Sequence, residues 1–330
     1  MRNDRLAGWL AGRATPPEPT QGAKDLLDVP DRAPEEVILS GVQEPEFPGT
    51  LTFASEVPFD LRFPSVGNLR TSVERMLHLL YGIGPCRSEQ LRRQGYETLA
   101  DLTSHPQWGE GARALLDKWG RRWDAKAVFH TLRTWLPASD PLLLAALGLV
   151  PREHILFFDL ETLGLSNAPI FLIATARLAD RTLLVHQHLA TSLGGERPLL
   201  DRFSRELEKT TALVSYNGKA FDWNLLRERS AYYSQRLPSV EIHADLLHHV
   251  RRQFVGLLPD AHLATIEENV LGVRRANDLP SSLVPSFYSM YLETGSPAPL
   301  RPILDHNRQD IKSLALLLRT LLGEAPDATR

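Results

Sequence analysis

Four acidic residues and one histidine in the C-terminal half have types and spacing suited to binding divalent cations. Asp159 and Glu161 follow the apolar run ILFF, and alternate residues of a strand point to the same face. Asp222 follows the segment VSYNGKAF, and Asp310 follows His306 by four residues. Like charges at the end of a buried strand repel each other and lose hydration. A positive group is therefore expected between Asp159 and Glu161.

The elements that must position these residues alternate between strands and helices. ILFF predicts a strand buried on both faces, and apolar runs at 170–178, 182–189 and 212–216 predict three more strands. Three apolar segments in quick succession favour an antiparallel meander, and a helix near 197–209 then favours an α/β layer. Asp222 opens a predicted helix. His306 and Asp310 share one face of a long amphipathic helix, LDHNRQDIKSLALLLRTLL.

The rest of the chain divides into two segments. Residues 1–48 are rich in Pro, Glu and Asp, which predicts a poorly ordered lead-in or an arm lying on the body. Residues 49–150 predict a small all-α domain that begins with a short hairpin or edge strands at 49–63. Residues 151–330 then form the domain that carries the acidic residues.

The order of the acidic motifs resembles that of the DEDD exonucleases of the ribonuclease-H-like fold. FDLETLGL is similar to the first exonuclease motif, YNGKAFDWNLLRER to the second as it stands in family B polymerase proofreading domains, and HNRQD occupies the third. The chain also resembles the bacterial YprB-like ribonuclease-H-like family at HADLLHHVRR, at LATIEENVLGVRRANDLP and at the HN before the last aspartate. The resemblance implies an α/β fold, a mixed sheet flanked by helices.

The resemblance also implies a role for each acidic residue. Asp159 would bridge two Mg²⁺ or Mn²⁺ ions, Glu161 and Asp310 would hold the ion that activates water, and Asp222 would anchor the second ion. Two such ions about 3.5–4 Å apart can clamp a scissile phosphate, and hard cations need oxygen ligands. Nucleic acid, DNA or RNA, is the implied partner.

His306 departs from the better-known exonuclease patterns. In DEDDh enzymes the histidine lies five residues before the last aspartate, whereas His306 lies four before Asp310, the spacing of the DEDDy tyrosine. A neutral imidazole can accept a proton from water near neutral pH, whereas a tyrosine there more plausibly orients water. The alternative is a histidine that caps the start of the helix.

The helical segment has a nucleic-acid signal of its own. LLYGIGPCRSEQLRRQGYETLADLTSHP resembles helix-hairpin-helix modules of DNA repair and recombination proteins. Gly82 and Gly84 would let the backbone approach phosphate, and Arg87 adds positive charge next to a helix N-terminus that favours anions. The alternative is a plain packing hairpin. In the second acidic motif, Asn217 and Lys219 either shape a turn or contact phosphate.

Two further clusters each have two interpretations. Four arginines form either a phosphate-tracking rim or a solvated surface: Arg251, Arg252, Arg274 and Arg275. Three histidines look like a second metal site, yet their sequence is more typical of a strand end followed by a helix: His243, His248 and His249. Asp278 matches a family position of unknown role.

Composition limits the remaining possibilities. The chain has 330 residues, 43% apolar and 23% charged, which is typical of a globular protein with room for two domains. Cys86 is the only cysteine, so an intramolecular disulfide and a cysteine zinc site within the chain are excluded. The chain has neither a signal core nor a membrane-spanning apolar run, which predicts a cytoplasmic protein without a membrane partner. The net charge of −3 neither indicates nor excludes nucleic-acid binding.

The motifs together predict a metal-dependent 3′→5′ exonuclease. A noncatalytic binding module that kept the fold is one alternative, although the presence of all four acids argues against it. A structure-selective endonuclease is another, favoured if the helical domain holds a duplex. The sequence does not separate DNA from RNA, because recognition of the 2′-hydroxyl depends on pocket geometry.

Overall fold

The computed structural model describes residues 41–164, 167–275 and 278–323. The predicted lead-in therefore lies outside the described residues except for 41–48. Six strands form one mixed sheet: β1 (Thr50–Pro58), β2 (Ile155–Thr162), β3 (Ile170–Ala179), β4 (Thr182–Ala190), β5 (Ala212–Ser215) and β6 (Ile242–Asp245). Their order is β1-β4-β3-β2-β5-β6. Strands β2, β3 and β4 make the predicted antiparallel meander, and β5 and β6 run parallel to β2.

The first strand belongs to this sheet and not to the helical segment with which the sequence grouped it. β1 pairs antiparallel with β4 from Thr50 opposite Ala190 to Pro58 opposite Thr182. Of the two predicted alternatives, hairpin or edge strand, the structure has the edge strand. β4 thereby gains backbone partners along its outer side, and β1 becomes the edge strand of the sheet.

Among the described residues, five α-helices precede the meander and six follow β4. The first group is α1 (Val66–Glu74), α2 (Pro85–Arg93), α3 (Gly109–Trp119), α4 (Ala125–Trp135) and α5 (Pro141–Ala145). The second group is α6 (Glu196–Glu208), α7 (Asp222–Tyr232), α8 (Leu246–Phe254), α9 (Leu263–Ile266), α10 (Val284–Thr294) and α11 (Leu300–Leu321). Local sequence explains where two of these helices begin. The side chains of Asp124 and Asp245 accept hydrogen bonds from backbone nitrogens in the first turns of α4 and α8.

The two faces of the sheet bury different groups of helices. Phe157 and Val214 face one core, which the helical segment shares with the C-terminal half of α11. Phe158 and Leu213 face the other core, which contains apolar residues of α6, α7 and α10. Successive strand residues alternate between the cores, as the pleat requires. The mixed sheet with helices on both faces confirms the predicted α/β class.

None of the helices in the described part of the chain is both long and apolar enough to cross a lipid bilayer.

Candidate metal centre and active site

The acidic residues of the first and third motifs meet where β2 ends beside α11. Asp159 and Glu161 are two residues apart on β2 and point toward the α11 face. Asn307 of α11 donates a hydrogen bond from Nδ2 to Asp159 Oδ2 at 2.9 Å. Ligand atoms of Glu161, His306 and Asp310 all lie within 4.8 Å of one another. The structure thus brings together residues almost 150 positions apart in the chain.

Asp222 completes the group from a third element. It is the first residue of α7, directly after β5 and its turn, and it is buried. Its negative charge contributes to raising the pKa of both Asp159 and Glu161, so it faces the same acidic cluster. Because β5 lies parallel and next to β2, the carboxyl ends of both strands deliver their acids to the same edge.

Burial and mutual repulsion raise the pKa of these carboxyl groups. Burial, followed by the charges of Asp310, Glu161 and Asp222, raises the pKa of Asp159 well above its ordinary range. Burial raises the pKa of Glu161 from 4.5 to about 8, although His306 opposes the shift. Burial and the charge of Asp245 raise the pKa of Asp222 from 3.8 to about 7. The protein therefore places too little positive charge beside these carboxylates to balance their negative charges.

The donor set fits hard divalent cations. Four carboxylates supply oxygen ligands, which Mg²⁺ and Mn²⁺ prefer over nitrogen and sulfur. Burial and neighbouring acids raise the pKa of Asp159, Glu161 and Asp222, whereas Asp310 pairs with Arg275, so three of the four carboxylates would gain most from a bound cation. Asp159, Glu161, Asp222 and Asp310 are therefore the residues that would hold such ions.

The raised pKa values give the metal-free protein a specific dependence of stability on pH. Between pH 4.5 and 8 the folded protein keeps a proton on Glu161 that the unfolded chain releases, so stability falls as pH rises. We expect the melting temperature of EDTA-treated protein to drop by several degrees between pH 5 and pH 8. Mn²⁺ should restore it at pH 8, because binding to the folded state alone stabilises that state.

The variant Glu161→Gln isolates the contribution of one carboxyl group. We expect it to melt higher than the native protein at pH 8 and at the same temperature at pH 5, both without metal. Glu153→Gln is the matched control, because Glu153 is exposed just before the same strand. A native protein whose melting curve is unaffected by pH and Mn²⁺ would contradict the metal centre.

His306 lies between two carboxylates. Its Nδ1 is 3.0 Å from Asp278 Oδ1, and its Nε2 is 3.4 Å from Asp310 Oδ2 and 3.2 Å from Ser281 Oγ. Burial alone would lower the pKa of His306, but the hydrogen bond to Asp278 and the charges of Asp310 and Glu161 raise it overall. Asp278 therefore orients the ring, and Nε2 is the nitrogen that faces the acids.

Arg275, predicted to lie on a phosphate-tracking rim or a solvated surface, and Asp278, a family position without a predicted role, both contact the site. Arg275 does not contribute to a rim, because its guanidinium binds Glu267 through two bonds of 2.6 Å, Asp278 at 2.9 Å and also Asp310. Glu267 is fully buried, so the positive charge of Arg275 balances the buried charge of Glu267 as well as that of the site residue Asp310. The nearby acids Glu267 and Asp278 were the available sequence signal for a buried role of Arg275. The third partner, Asp310, lies 35 residues away in the chain.

Asn307 and Gln187 hold the Asp159 side of the site. Gln187 Nε2 on β4 donates to Asn307 Oδ1 at 3.0 Å and to the Leu304 carbonyl at 2.8 Å. This orients the Asn307 amide so that its Nδ2 faces Asp159. The only sequence signal for Asn307 was its place beside His306 in the third motif.

The turn of the second motif is organised by a buried aspartate. Asp245 accepts hydrogen bonds from the backbone nitrogens of Asn217 at 2.8 Å and Lys219 at 3.1 Å. Asn217 has φ of +59°, a conformation that asparagine tolerates better than most residues. A Cβ on Gly218 would come within 2.5 Å of Ser215, so this position requires glycine. These contacts support the turn-shaping interpretation of Asn217, and a phosphate contact by Lys219 stays a prediction.

The three histidines of HADLLHHVRR do not form a metal cluster. His243 Nε2 contacts Ser215 Oγ at 2.7 Å, and burial lowers the pKa of His243 to about 3. His249 is buried on α8, and burial lowers its pKa to about 4. The segment is a strand end followed by a helix, as the preferred interpretation had it.

The Gly82–Gly84 turn presents its backbone to solvent. Gly82 has φ of +85°, and a Cβ at either glycine would meet nothing within 4 Å. Arg87 donates from Nη1 to the Gly82 carbonyl at 2.9 Å and lies over the Trp108 ring. Tyr81, 90% exposed, stands beside the turn. The turn is open to a ligand, and phosphate binding there remains a prediction.

A family model and a curated relative each match about half of the chain. A family model described as RNase_H superfamily matches residues 156–322, just over half of the chain. The uncharacterized protein YprB of Bacillus subtilis (strain 168) is 37% identical over 171 residues. That alignment covers 50% of this chain and 41% of the relative, so the chain spans less than half of the relative's length.

A solved structure is similar to about half of the chain. The family B DNA polymerase from the hyperthermophilic archaeon Pyrobaculum calidifontis is 18% identical, with a TM-score of 0.42. The match covers 52% of this chain and 25% of the polymerase. At that TM-score the similarity carries no argument about activity.

Proposed function

The chain belongs to the RNase H superfamily, and on that premise we propose that it is a metal-dependent nuclease, specifically a 3′→5′ exonuclease acting on DNA or RNA. One observation carries the proposal. Asp159 and Glu161 from the end of β2, Asp222 from the start of α7 and Asp310 from α11 converge, with His306 beside them. Two bound Mg²⁺ or Mn²⁺ ions would supply charge neutralisation to the scissile phosphate and the leaving oxygen.

The carboxylates are held in place by neighbouring side chains. Asn307 fixes one oxygen of Asp159, and Arg275 fixes Oδ1 of Asp310, so the remaining oxygens are directed into the cluster. Such outer contacts orient ligands and reduce the reorganisation needed during reaction. Asp222 gains its position from the first turn of α7, which follows the turn that Asp245 organises.

His306 is the group that would accept the proton of the attacking water. Asp278 at Nδ1 favours a proton on that nitrogen, which leaves Nε2 as the acceptor on the side of Asp310. A positioned acid or base of this kind contributes roughly 10²–10⁴-fold to rate. The same arrangement of carboxylate and imidazole fixes the tautomer in other hydrolytic sites.

A structure-selective endonuclease is the second candidate, and the open Gly82–Gly84 turn is the observation that favours it. A helical segment that grips a duplex would place a flap or junction at the acidic centre. A noncatalytic module is less well supported. Burying three carboxyl groups with raised pKa values destabilises the fold, and a protein that only binds nucleic acid does not need them.

A digestion panel tests the proposal and separates the candidates. The substrates are 5′-labelled, 3′-labelled and circular single-stranded DNA, matched linear RNA, and duplexes of each, with Mg²⁺, Mn²⁺ or EDTA. An exonuclease acting from the 3′ end releases a 3′ label at once as a mononucleotide, shortens 5′-labelled strands gradually and spares circles. Cleavage of circles or release of oligonucleotides would support the endonuclease. No metal-dependent cleavage of any substrate would contradict a nuclease.

The helical segment is tested by Gly84→Val. Gly84 has φ of −85° and open space around it, so valine fits the backbone without strain but blocks the approach of a phosphate. We expect weaker nucleic-acid binding with a shallower salt dependence, by about one unit of slope per lost phosphate contact. Hydrolysis of a dinucleotide, which needs only the acidic centre, should be unchanged.

The control for this variant is Gly194→Val. Gly194 is exposed in the loop before α6, and a Cβ there makes only ordinary contact. Fluorescence anisotropy across a salt titration measures binding for both variants. Equal binding by Gly84→Val and the native protein would identify the turn as a packing hairpin.

A further inference from the structure

A second group of metal-ligand side chains lies on the opposite face of the sheet from the acidic centre. In the described residues, ligand atoms of His186, His188 and Glu206 all lie within 4.8 Å of one another. His186 and His188 are two apart on β4 and share a face, and Gln187 between them points the other way, toward Asn307. We propose that His186, His188 and Glu206 form a Zn²⁺ site separate from the acidic centre.

The donor chemistry distinguishes this site from the first. Two imidazole nitrogens and one carboxylate oxygen are a zinc ligand set in which the fourth position is left to water. The carboxylate-rich centre on the other face prefers Mg²⁺ or Mn²⁺. Tetrahedral zinc with bonds near 2.0–2.1 Å places ligand atoms roughly 3.4 Å apart. His188 Nε2 is 2.8 Å from Glu206 Oε1, and the His186 ligand atom lies within 4.8 Å of both other ligand atoms. Side-chain rotations would have to bring the three atoms to the zinc spacing.

Two of the ligands, buried His188 and partly buried Glu206, are held by hydroxyl groups from neighbouring strands. Thr52 Oγ1 on β1 is 3.0 Å from His188 Nδ1, which leaves Nε2 facing Glu206. Thr175 on β3 makes a side-chain hydrogen bond to Glu206. Partners of this kind set the tautomer and direction of zinc ligands. Three strands and α6 therefore contribute to one small polar cluster.

Burial and charge around the cluster are compatible with an ion. His188 is almost fully buried, whereas His186 is partly exposed and provides a path of entry. Arg202 Nε lies 3.9 Å from Glu206 Oε1, but the same guanidinium forms an ion pair with Glu44. A bound ion would tie α6 to β4, beside the edge strand β1. The measurable consequence would be a more stable folded chain when zinc is bound.

Zinc titration of the full chain tests the site. All titrations use a background protein that carries Asp159→Asn and Glu161→Gln, which remove metal binding at the acidic centre. The zinc test is therefore independent of whether the proposed acidic centre binds metal. After EDTA treatment and dialysis, Zn²⁺ is added in competition with a chromogenic chelator. We expect one equivalent bound, and at least a tenfold loss of affinity when His186→Ala is added. Zn²⁺ should raise the melting temperature of the background but not of the His186→Ala protein.

His262→Ala is the matched control, because His262 is an exposed histidine 3.1 Å from a carboxylate, Asp260, and should leave affinity unchanged. Circular dichroism checks the fold, and His186→Gln replaces His186→Ala if that variant does not fold. Co²⁺ gives an independent readout, since a four-coordinate site of nitrogen and oxygen ligands develops intense visible absorption. No bound zinc in the background, or equal affinity with and without His186, would overturn the proposal.

Discussion

Asp159→Asn and Asp222→Asn should each reduce metal-dependent cleavage to background while leaving the protein folded. Each change removes one negative oxygen ligand without emptying a cavity, because asparagine has the shape of aspartate. Both carboxyl groups have raised pKa values, so their neutral replacements should melt at the same or a higher temperature than the native protein without metal. The measurements are turnover of a labelled oligonucleotide, Mn²⁺ affinity by calorimetry, and melting temperature.

Asp305→Asn is the control for both variants. Asp305 lies on the exposed side of α11 one residue before His306 and pairs with Arg308. It should retain native turnover and native Mn²⁺ affinity. Substantial turnover in purified Asp159→Asn or Asp222→Asn would contradict the assignment of the acidic centre as the site of hydrolysis.

His306→Ala should lower turnover by roughly 10²–10⁴-fold, the range for a positioned acid or base. Asp278→Asn should lower it less, because the imidazole stays but loses the carboxylate that favours a proton on Nδ1. His306→Tyr restores the tyrosine spacing of DEDDy enzymes. It should recover part of the activity if the position mainly orients water, and little if proton transfer is required.

The pH profile separates a catalytic role from a structural one. Neighbouring carboxylates raise the pKa of His306, so its neutral form declines as pH falls, starting above the ordinary value of 6.5. Mn²⁺ must saturate the acidic centre at every pH, so that its carboxylates stay ionised and do not themselves lower the rate. Under that condition the native rate should fall on the acid side, and Asp278→Asn should move that fall, the acid limb of the profile, to lower pH. His306→Ala should lose the limb. An acid limb that persists unchanged in His306→Ala would remove this residue from the mechanism.

The sequence by itself determined the elements and the candidates for the acidic centre. Apolar runs located the three strands of the meander, with the bounds of β3 and β4 within one residue, whereas β2 continues four residues past its apolar run to Thr162. The spacing of Asp159 and Glu161 placed both on one strand face, and the spacing of His306 and Asp310 placed both on one helix face. These are local relations, and local geometry is set by the periods of strand and helix.

Only the tertiary structure decided which distant groups meet. In the sequence Arg275 could be a surface cation, but in the fold Glu267, Asp278 and Asp310 surround its guanidinium. The buried carboxylate of Glu267 needs a positive partner and so favours burial of the Arg275 side chain. The sequence at 49–63 could have formed a local hairpin, but in the fold β1 pairs with β4 along its whole length. His186 and His188 acquired a carboxylate partner only when α6 packed over β4. Contacts of this kind depend on packing between elements remote in sequence, which no local period encodes.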